Sequence, residues 1–218
     1  MCGIAGYFGT RTLSQETLDN CISLMRRRGP DGHGRIHRTV DTDRNGYLLH
    51  SRLRIIDLDA RANQPFARGR GHLSFNGELY NYVELRKALE FRGETFATAS
   101  DTEVLASLIA TRGTGGLDDG EGMWAFAWLD DDGLMLCRDR FGEKPLYLHQ
   151  NSDGVYFGSE PKFIFSLLGC RLPVNVNHLQ RYLVNGYKAL YKTGETFFSG
   201  LNEVPAGSVV HFDRRGKR

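Results

Sequence analysis

Met123–Asp139 reads MWAFAWLDDDGLMLCRD. Two apolar, aromatic-rich runs flank Asp-Asp-Gly, a strong hairpin signal. Working outward, strand-like stretches at 145–149 and 154–158 continue the pattern, followed by helical stretches over 161–168 and 177–185. The turn-rich segment Gly113 to Gly122 precedes the hairpin. Before that, 100–112 reads as a helix opened by Ser100-Asp101-Thr102-Glu103, a capping-box pattern. A helix over 81–92 places Leu85, Leu89 and Tyr82 on one side. Nearer the N-terminus, 3–9, 33–39, 46–52 and 72–76 read as strands. Residues 14–28 read as a helix capped by Ser14 and ended by Gly29-Pro30, with Leu18, Cys21, Ile22 and Met25 on one face. Strands thus come in hairpin-like groups and helices in separate groups. That pattern predicts an α+β chain with antiparallel sheets, two of them stacked and covered by helices, rather than alternating βαβ units.

The bulk numbers agree with a globular chain. At 218 residues, with 40% hydrophobic and 25% charged residues, there is enough material for a sizeable core. A net charge of +2 is too small to imply a nucleic-acid or membrane partner. The basic clusters Arg26-Arg27-Arg28, Arg68-Gly69-Arg70 and the tail Asp213 to Arg218 read as solvated faces, balanced by acidic runs. No apolar stretch approaches the roughly 18–20 residues of a membrane span. Cys2, Cys21, Cys137 and Cys170 show neither metal spacing nor a disulfide framework, which with the lack of a signal-peptide pattern predicts a reducing, cytoplasmic setting.

Some motifs fail on context. Gly120-Glu121-Gly122-Met123-Trp124-Ala125 fits a dinucleotide fingerprint but precedes a strand instead of joining strand to helix. No phosphate loop and no H-E-x-x-H zinc motif occurs, so no metal site is expected. Others carry chemistry. Once Met1 is removed, Cys2 offers both a thiol and an α-amine; the amine, with a pKa of about 7.7–8.0, can serve as base near neutral pH. Taken alone, Cys2 reads more readily as a small buried hydrophobe. Asn76-Gly77 is a strong hairpin-turn signal, yet ELYNYVELRKAL after it looks helical. A side-chain amide beside a glycine N–H instead offers two donors for a developing oxyanion. Arg52 ends a strand and Asp101 sits in the first turn of a helix; each alone suits a structural role. Together they supply the fixed cation and anion that a free amino acid requires, with arginine able to grip a carboxylate by two parallel hydrogen bonds.

The set of blocks is more specific than any member. MCGIAGYFG, RRRGPDGHG, SRLRIIDL, FNGELYNYVELR, SDTEVL, GMWAFAWLDD and RDRFGEKPLY occur in this order. Together they closely resemble the class II glutamine amidotransferase domain, specifically the N-terminal half of glutamine-hydrolysing asparagine synthetases. The resemblance runs from Cys2 through about Lys162, and less sharply through ETFFSGLNEVPAG. It implies an N-terminal-nucleophile hydrolase fold, a four-layer αββα sandwich of two antiparallel sheets. It implies Cys2 as nucleophile, Asn76 and Gly77 as oxyanion hole, Arg52 for the glutamine carboxylate and Asp101 for its ammonium. Glu78 would assist, with Ile55 and Ile56 lining the pocket. Arg28 to Asp31 would shape a nearby loop, a helix stop at Gly29-Pro30 being equally compatible.

The resemblance also implies an activity: L-glutamine hydrolysed to glutamate and ammonia through a thioester, with no cofactor for this half-reaction. ATP and Mg are expected only on an ammonia-using synthetase, as a C-terminal domain or separate subunit. The ATP-binding SGG-x-D-S motif of that domain does not occur here. Residues 1–218 are read as one amidotransferase domain whose last ~20 residues lead toward the synthetase. Aspartate is the default acceptor. A non-catalytic glutamine-binding or scaffold module of the same fold is the alternative, and a homo-oligomer is open on length alone. Ser159-Glu160-Pro161-Lys162 departs from the family's Ser-Glu-(apolar)-Lys by its proline, which a helix start tolerates.

Overall fold

The computed structural model describes residues 1–187 and 194–216. The basic tail is described only as far as Gly216, and Lys217 and Arg218 lie outside the described residues. The first sheet holds β1 (Gly3–Gly9), β2 (Gly32–Asp41), β3 (Arg44–Arg52), β8 (Tyr147–Asn151), β9 (Gly154–Gly158) and β10 (Leu201–Glu203), in the order β10-β8-β9-β1-β3-β2. The second holds β4 (Phe66–Arg68), β5 (Gly71–Leu79), β6 (Gly122–Asp130), β7 (Gly133–Arg138) and β11 (Ser208–Asp213), in the order β11-β7-β6-β5-β4. Every strand pair is antiparallel.

Helices α1 (Gln15–Met25) and α4 (Pro161–Leu168) cover the outer face of the first sheet. Helices α2 (Tyr82–Phe91) and α3 (Asp101–Arg112) cover that of the second. Helix α5 (Val176–Asn185) follows α4 in the chain. The layers are therefore α, β, β, α, as expected.

Three apolar clusters hold these layers together, and strand parity assigns residues among them. In β1, Ile4 and Phe8 face the other sheet, whereas Ala5 and Tyr7 face α1 and α4. In β6 the small and large residues divide: Ala125, Ala127 and Leu129 pack between the sheets, and Trp124, Phe126 and Trp128 pack toward α3. Both faces of the central strands are buried, which explains why the hairpin reads as continuous apolar runs. Each fully buried Leu or Phe contributes roughly 1.5–3 kcal/mol. Ile4, Phe126, Phe157, Leu167 and Phe212 are among those shielded completely.

The helix boundaries follow local chemistry. Ser14 Oγ accepts from Thr17 N (3.2 Å), capping α1. Ser100 Oγ accepts from Glu103 N (3.3 Å), the first half of the expected capping box. The second half is absent: Glu103 instead takes Thr98 N (2.7 Å), the Thr98 hydroxyl (2.7 Å) and Ala97 N (3.0 Å). Pro161 begins α4 at its first turn, where its missing N–H costs nothing.

Three sequence readings shift. Asn76-Gly77 lies inside β5, which runs on to Leu79 before α2 begins. The turn-rich segment contains a 3₁₀ helix, Gly113–Asp119. The C-terminal stretch, for which the sequence suggests no element, contributes β11, paired over Ser208–Asp213 with β7.

Candidate active site

Parity also builds the site. Cys2 shares the inward parity of Ile4 and Phe8; Arg52 shares that of Leu48; Asn76 and Glu78 share that of Ser74, whose hydroxyl bonds Leu49 O across the gap. The ends of β1, β3 and β5 thus deliver these side chains to one end of the space between the sheets. Cys2, Arg52, Ile55, Ile56, Asn76, Gly77, Glu78 and Asp101 all line a single cavity. Every residue singled out from the sequence for binding or catalysis is therefore in one place. Met1, Leu53, Gln64, Phe75, Thr102, Met123 and Lys144 complete its walls.

Cys2 is held from both sides. Leu53 N donates to its Sγ (3.4 Å), and Arg28 Nε donates to its carbonyl oxygen (2.8 Å). Arg28 also pairs with Glu160 (3.1 Å), tying the RGPD and SEPK segments to Cys2. Ser159 Oγ accepts from Ile4 N (3.1 Å) on the same strand. Gly29 packs so closely against Ser51 and Arg52 that a Cβ would lie 2.3 Å from backbone. The RGPD segment is thus a site support, while α1 ends earlier than the expected Gly29-Pro30 stop, at Met25 with Arg26 as its C-cap. Burial pushes the Cys2 thiol up; the Leu53 hydrogen bond, the N-terminal charge and Arg52 pull in the opposite direction without cancelling it. Burial thus leaves the thiol harder to ionise than a free cysteine.

Asn76 is 1% exposed, and its Nδ2 has no hydrogen-bond partner among the described residues. Gly77 N–H is aimed by its neighbours. Phe75 N donates to Gln64 Oε1 (2.6 Å) and Leu79 N to Asp101 Oδ2 (3.1 Å), both on the edge of β5 away from β6. Backbone N–H groups alternate along a strand, so Gly77 N–H points to that same edge, between Gln64 and Asp101. Its glycine identity is steric: a Cβ would sit 2.2 Å from Met123 O.

Arg52 differs in detail from the expected two-pronged grip. Its Nη1 donates to Asp59 O (2.8 Å) and Asn63 Oδ1 (2.9 Å), and its Nη2 donates to Ile56 O (3.2 Å) and Asp57 O. These four bonds fold loop 53–63 around the guanidinium. Among the described residues, only the Nε–H of its donors remains uncommitted. Asp57, at φ 51°, accepts from Ala99 N (2.7 Å), fastening the same loop to the start of α3. Asp101, nine-tenths buried, has its carboxyl pushed up to about 6, chiefly by desolvation, with the Leu79 and Thr102 amides opposing. Ile55 is exposed and Ile56 half-buried at the cavity edge.

Sequence reasoning overlooked Gln64, Asp57 and Lys144. Lys144 was legible within RDRFGEKPLY, but only the cavity reveals that its side chain is a wall. Asp57 was likewise legible within SRLRIIDL, but Gln64 carried no motif signal.

The glutamine amidotransferase domain family profile matches residues 1–218. Asparagine synthetase [glutamine-hydrolyzing] 1 of Bacillus subtilis is 36% identical over 194 residues, covering 84% of this chain and 29% of the relative. Asparagine synthetase B of Escherichia coli is 37% identical over 169 residues, covering 74% of the chain and 29% of the relative. The chain thus spans about three-tenths of the length of these relatives. Among solved structures, glutamine phosphoribosylpyrophosphate amidotransferase from B. subtilis aligns with a TM-score of 0.65 at 22% identity, over 78% of this chain and 44% of that one. An allosteric regulatory enzyme of purine biosynthesis aligns with a TM-score of 0.70 at 20% identity, over 99% and 48%. At that identity the likeness carries the fold alone, the same sandwich found here. The profile match over the whole length, together with the asparagine synthetase relatives, shows that this chain belongs to the glutamine amidotransferase family.

Proposed function

We propose that the chain hydrolyses the side-chain amide of L-glutamine, with Cys2 as nucleophile, and that the ammonia serves an ATP-dependent synthetase domain or subunit of the asparagine synthetase type. The observation that carries this reading is the buried Asn76 Nδ2, unpartnered among the described residues, beside the edge-facing Gly77 N–H and in the same cavity as the Cys2 thiol. A donor left unpaired in a protein interior costs about 1–3 kcal/mol, so its placement needs a compensating use. A tetrahedral oxyanion is such a use. A scaffold module would gain nothing from it.

The geometry supports the following steps. After removal of Met1, the Cys2 α-amine takes the thiol proton, and the sulfur attacks the glutamine amide carbon. The oxyanion rests on Asn76 Nδ2 and Gly77 N. As it collapses, the C–N bond breaks and the amine returns its proton to the leaving nitrogen, giving ammonia and a glutamyl thioester. Water, deprotonated by the same amine, cleaves the thioester to glutamate and restores the thiol. Arg52 supplies positive charge and its Nε–H toward the substrate carboxylate, while Asp101 and Glu78 face the substrate ammonium. Aspartate is the proposed acceptor of the ammonia.

The test is the intact mass of the chain before and after 6-diazo-5-oxo-L-norleucine, a reactive glutamine mimic. A chain lacking Met1 should take one adduct, on Cys2, blocked by excess glutamine. A chain lacking Met1 that takes none would overturn the reading.

A further inference from the structure

Lys144 is a buried cation whose purpose the steps above leave open. It is 8% exposed and forms no ion pair among the described residues. Its Nζ instead lies 3.7 Å from the Met1 sulfur. Its backbone is fixed at both ends: Lys144 N donates to Asp139 Oδ2 (3.1 Å), and Arg138 Nε donates to Lys144 O (2.9 Å). Asp139 is itself buried and also accepts from Trp124, Phe141 and Glu143 N–H groups (2.9–3.1 Å). The loop therefore fixes the Lys144 backbone, and its side chain reaches the Met1 side chain in the wall of the cavity that also holds Cys2.

We propose that Lys144 is a positioning residue for catalysis, its ammonium keeping the Cys2 α-amine unprotonated and so available as base. This rests on the glutaminase reading, in which that amine is freed by loss of Met1. A like charge nearby disfavours the protonated amine. The other charged groups lining the cavity are Arg52 from β3, Glu78 from β5 and Asp101 from α3. Arg52 acts in the same sense as Lys144, whereas the two carboxylates oppose it. When substrate binds, its ammonium faces those carboxylates and its carboxylate faces Arg52, so Lys144 is the cation left uncompensated. Arg28 is spoken for by the Cys2 carbonyl and Glu160.

The experiment uses the full chain with Met1 removed, verified by mass. The α-amine is titrated directly by its rate of acetylation with acetic anhydride as a function of pH, read on the N-terminal peptide. The pH profile of kcat/KM for glutamine is measured in parallel. Lys144→Met should raise the amine midpoint, and the acid limb of kcat/KM, by about 1 pH unit. The rate at pH 6.5 should then fall about tenfold while the plateau near pH 9 holds. Lys144→Arg, which keeps the charge, should restore the profile. An unshifted amine midpoint in Lys144→Met, or a loss equal at every pH, would overturn the proposal. If that variant fails to fold, Lys144→Gln carries the same comparison. Because acetylation needs no turnover, a wild-type chain inactive on glutamine would sink the glutaminase reading without touching this measurement.

Discussion

Replacing Asn76 by alanine should separate catalysis from stability. The Nδ2 it removes makes no hydrogen bond among the described residues, though the side chain is almost wholly buried. Leaving such a donor unpaired costs about 1–3 kcal/mol, and its removal returns that amount. Against it stands the packing lost from a few side-chain atoms, on the order of 1–2 kcal/mol by the usual value per buried group. The two contributions oppose, so the thermal midpoint should move by less than about 4 °C for a domain of this size. The transition state behaves differently. Loss of one of two oxyanion donors costs about 3–4 kcal/mol, a fall of about 10²–10³ in kcat. Glutamine KM should change by less than about threefold, because the ground-state amide gains little from the donor. The assay is steady-state glutamate release, alongside a thermal melt. A kcat within tenfold of wild type at unchanged stability would refute the oxyanion role. A parallel collapse of Tm would refute the claim that Asn76 is held there for chemistry.

Two further outcomes follow from the poles of the site. Arg52→Ala should raise glutamine KM by about 10- to 100-fold and also expose loop 53–63 to hydrogen exchange, because three carbonyls and Asn63 Oδ1 lose their charged donor. An unchanged KM would remove Arg52 from the pocket. Asp101→Asn should stabilise the free chain at high pH. The folded carboxyl, at about 6, binds its proton more tightly than an unfolded aspartate near 3.9. Stability is therefore fully present below about pH 4 and falls as pH rises through 6, by about 3 kcal/mol in total. The variant should melt above wild type at pH 8 and coincide with it near pH 4, while its glutamine KM rises. Melting curves that coincide at pH 8 would refute the burial cost assigned to Asp101.

Much of the fold was readable because its signals are local. The Met123–Asp139 hairpin, the Ser14 and Ser100 caps and the proline at the start of α4 depend on neighbours within a few residues. Catalytic candidates were readable for a different reason: Cys2, Arg52, Asn76, Gly77 and Asp101 sit in family blocks whose order survives in the chain. Asn76-Gly77 shows the limit. Its dipeptide suits a turn, yet pairing with Ala125 and Trp124 on β6 draws it into a strand, where sheet hydrogen bonds outweigh local preference. β11 escaped notice because its pairing partner lies some 70 residues earlier, and no local pattern encodes such an edge.

By itself the sequence determined the fold class and the helix N-caps, and it supplied the candidate site residues. Those are set by periodicity, capping and family motif. Only the tertiary structure decided how these residues are used. Stacking the two sheets gave Cys2, Arg52 and Asn76 a common inward parity, closed loop 53–63 onto the Arg52 guanidinium, aimed Gly77 N–H at the edge of β5 away from β6 and buried Lys144 without an ion-pair partner among the described residues. Each of these is a relation between groups far apart in the chain. Packing creates it, and no stretch of sequence contains both partners.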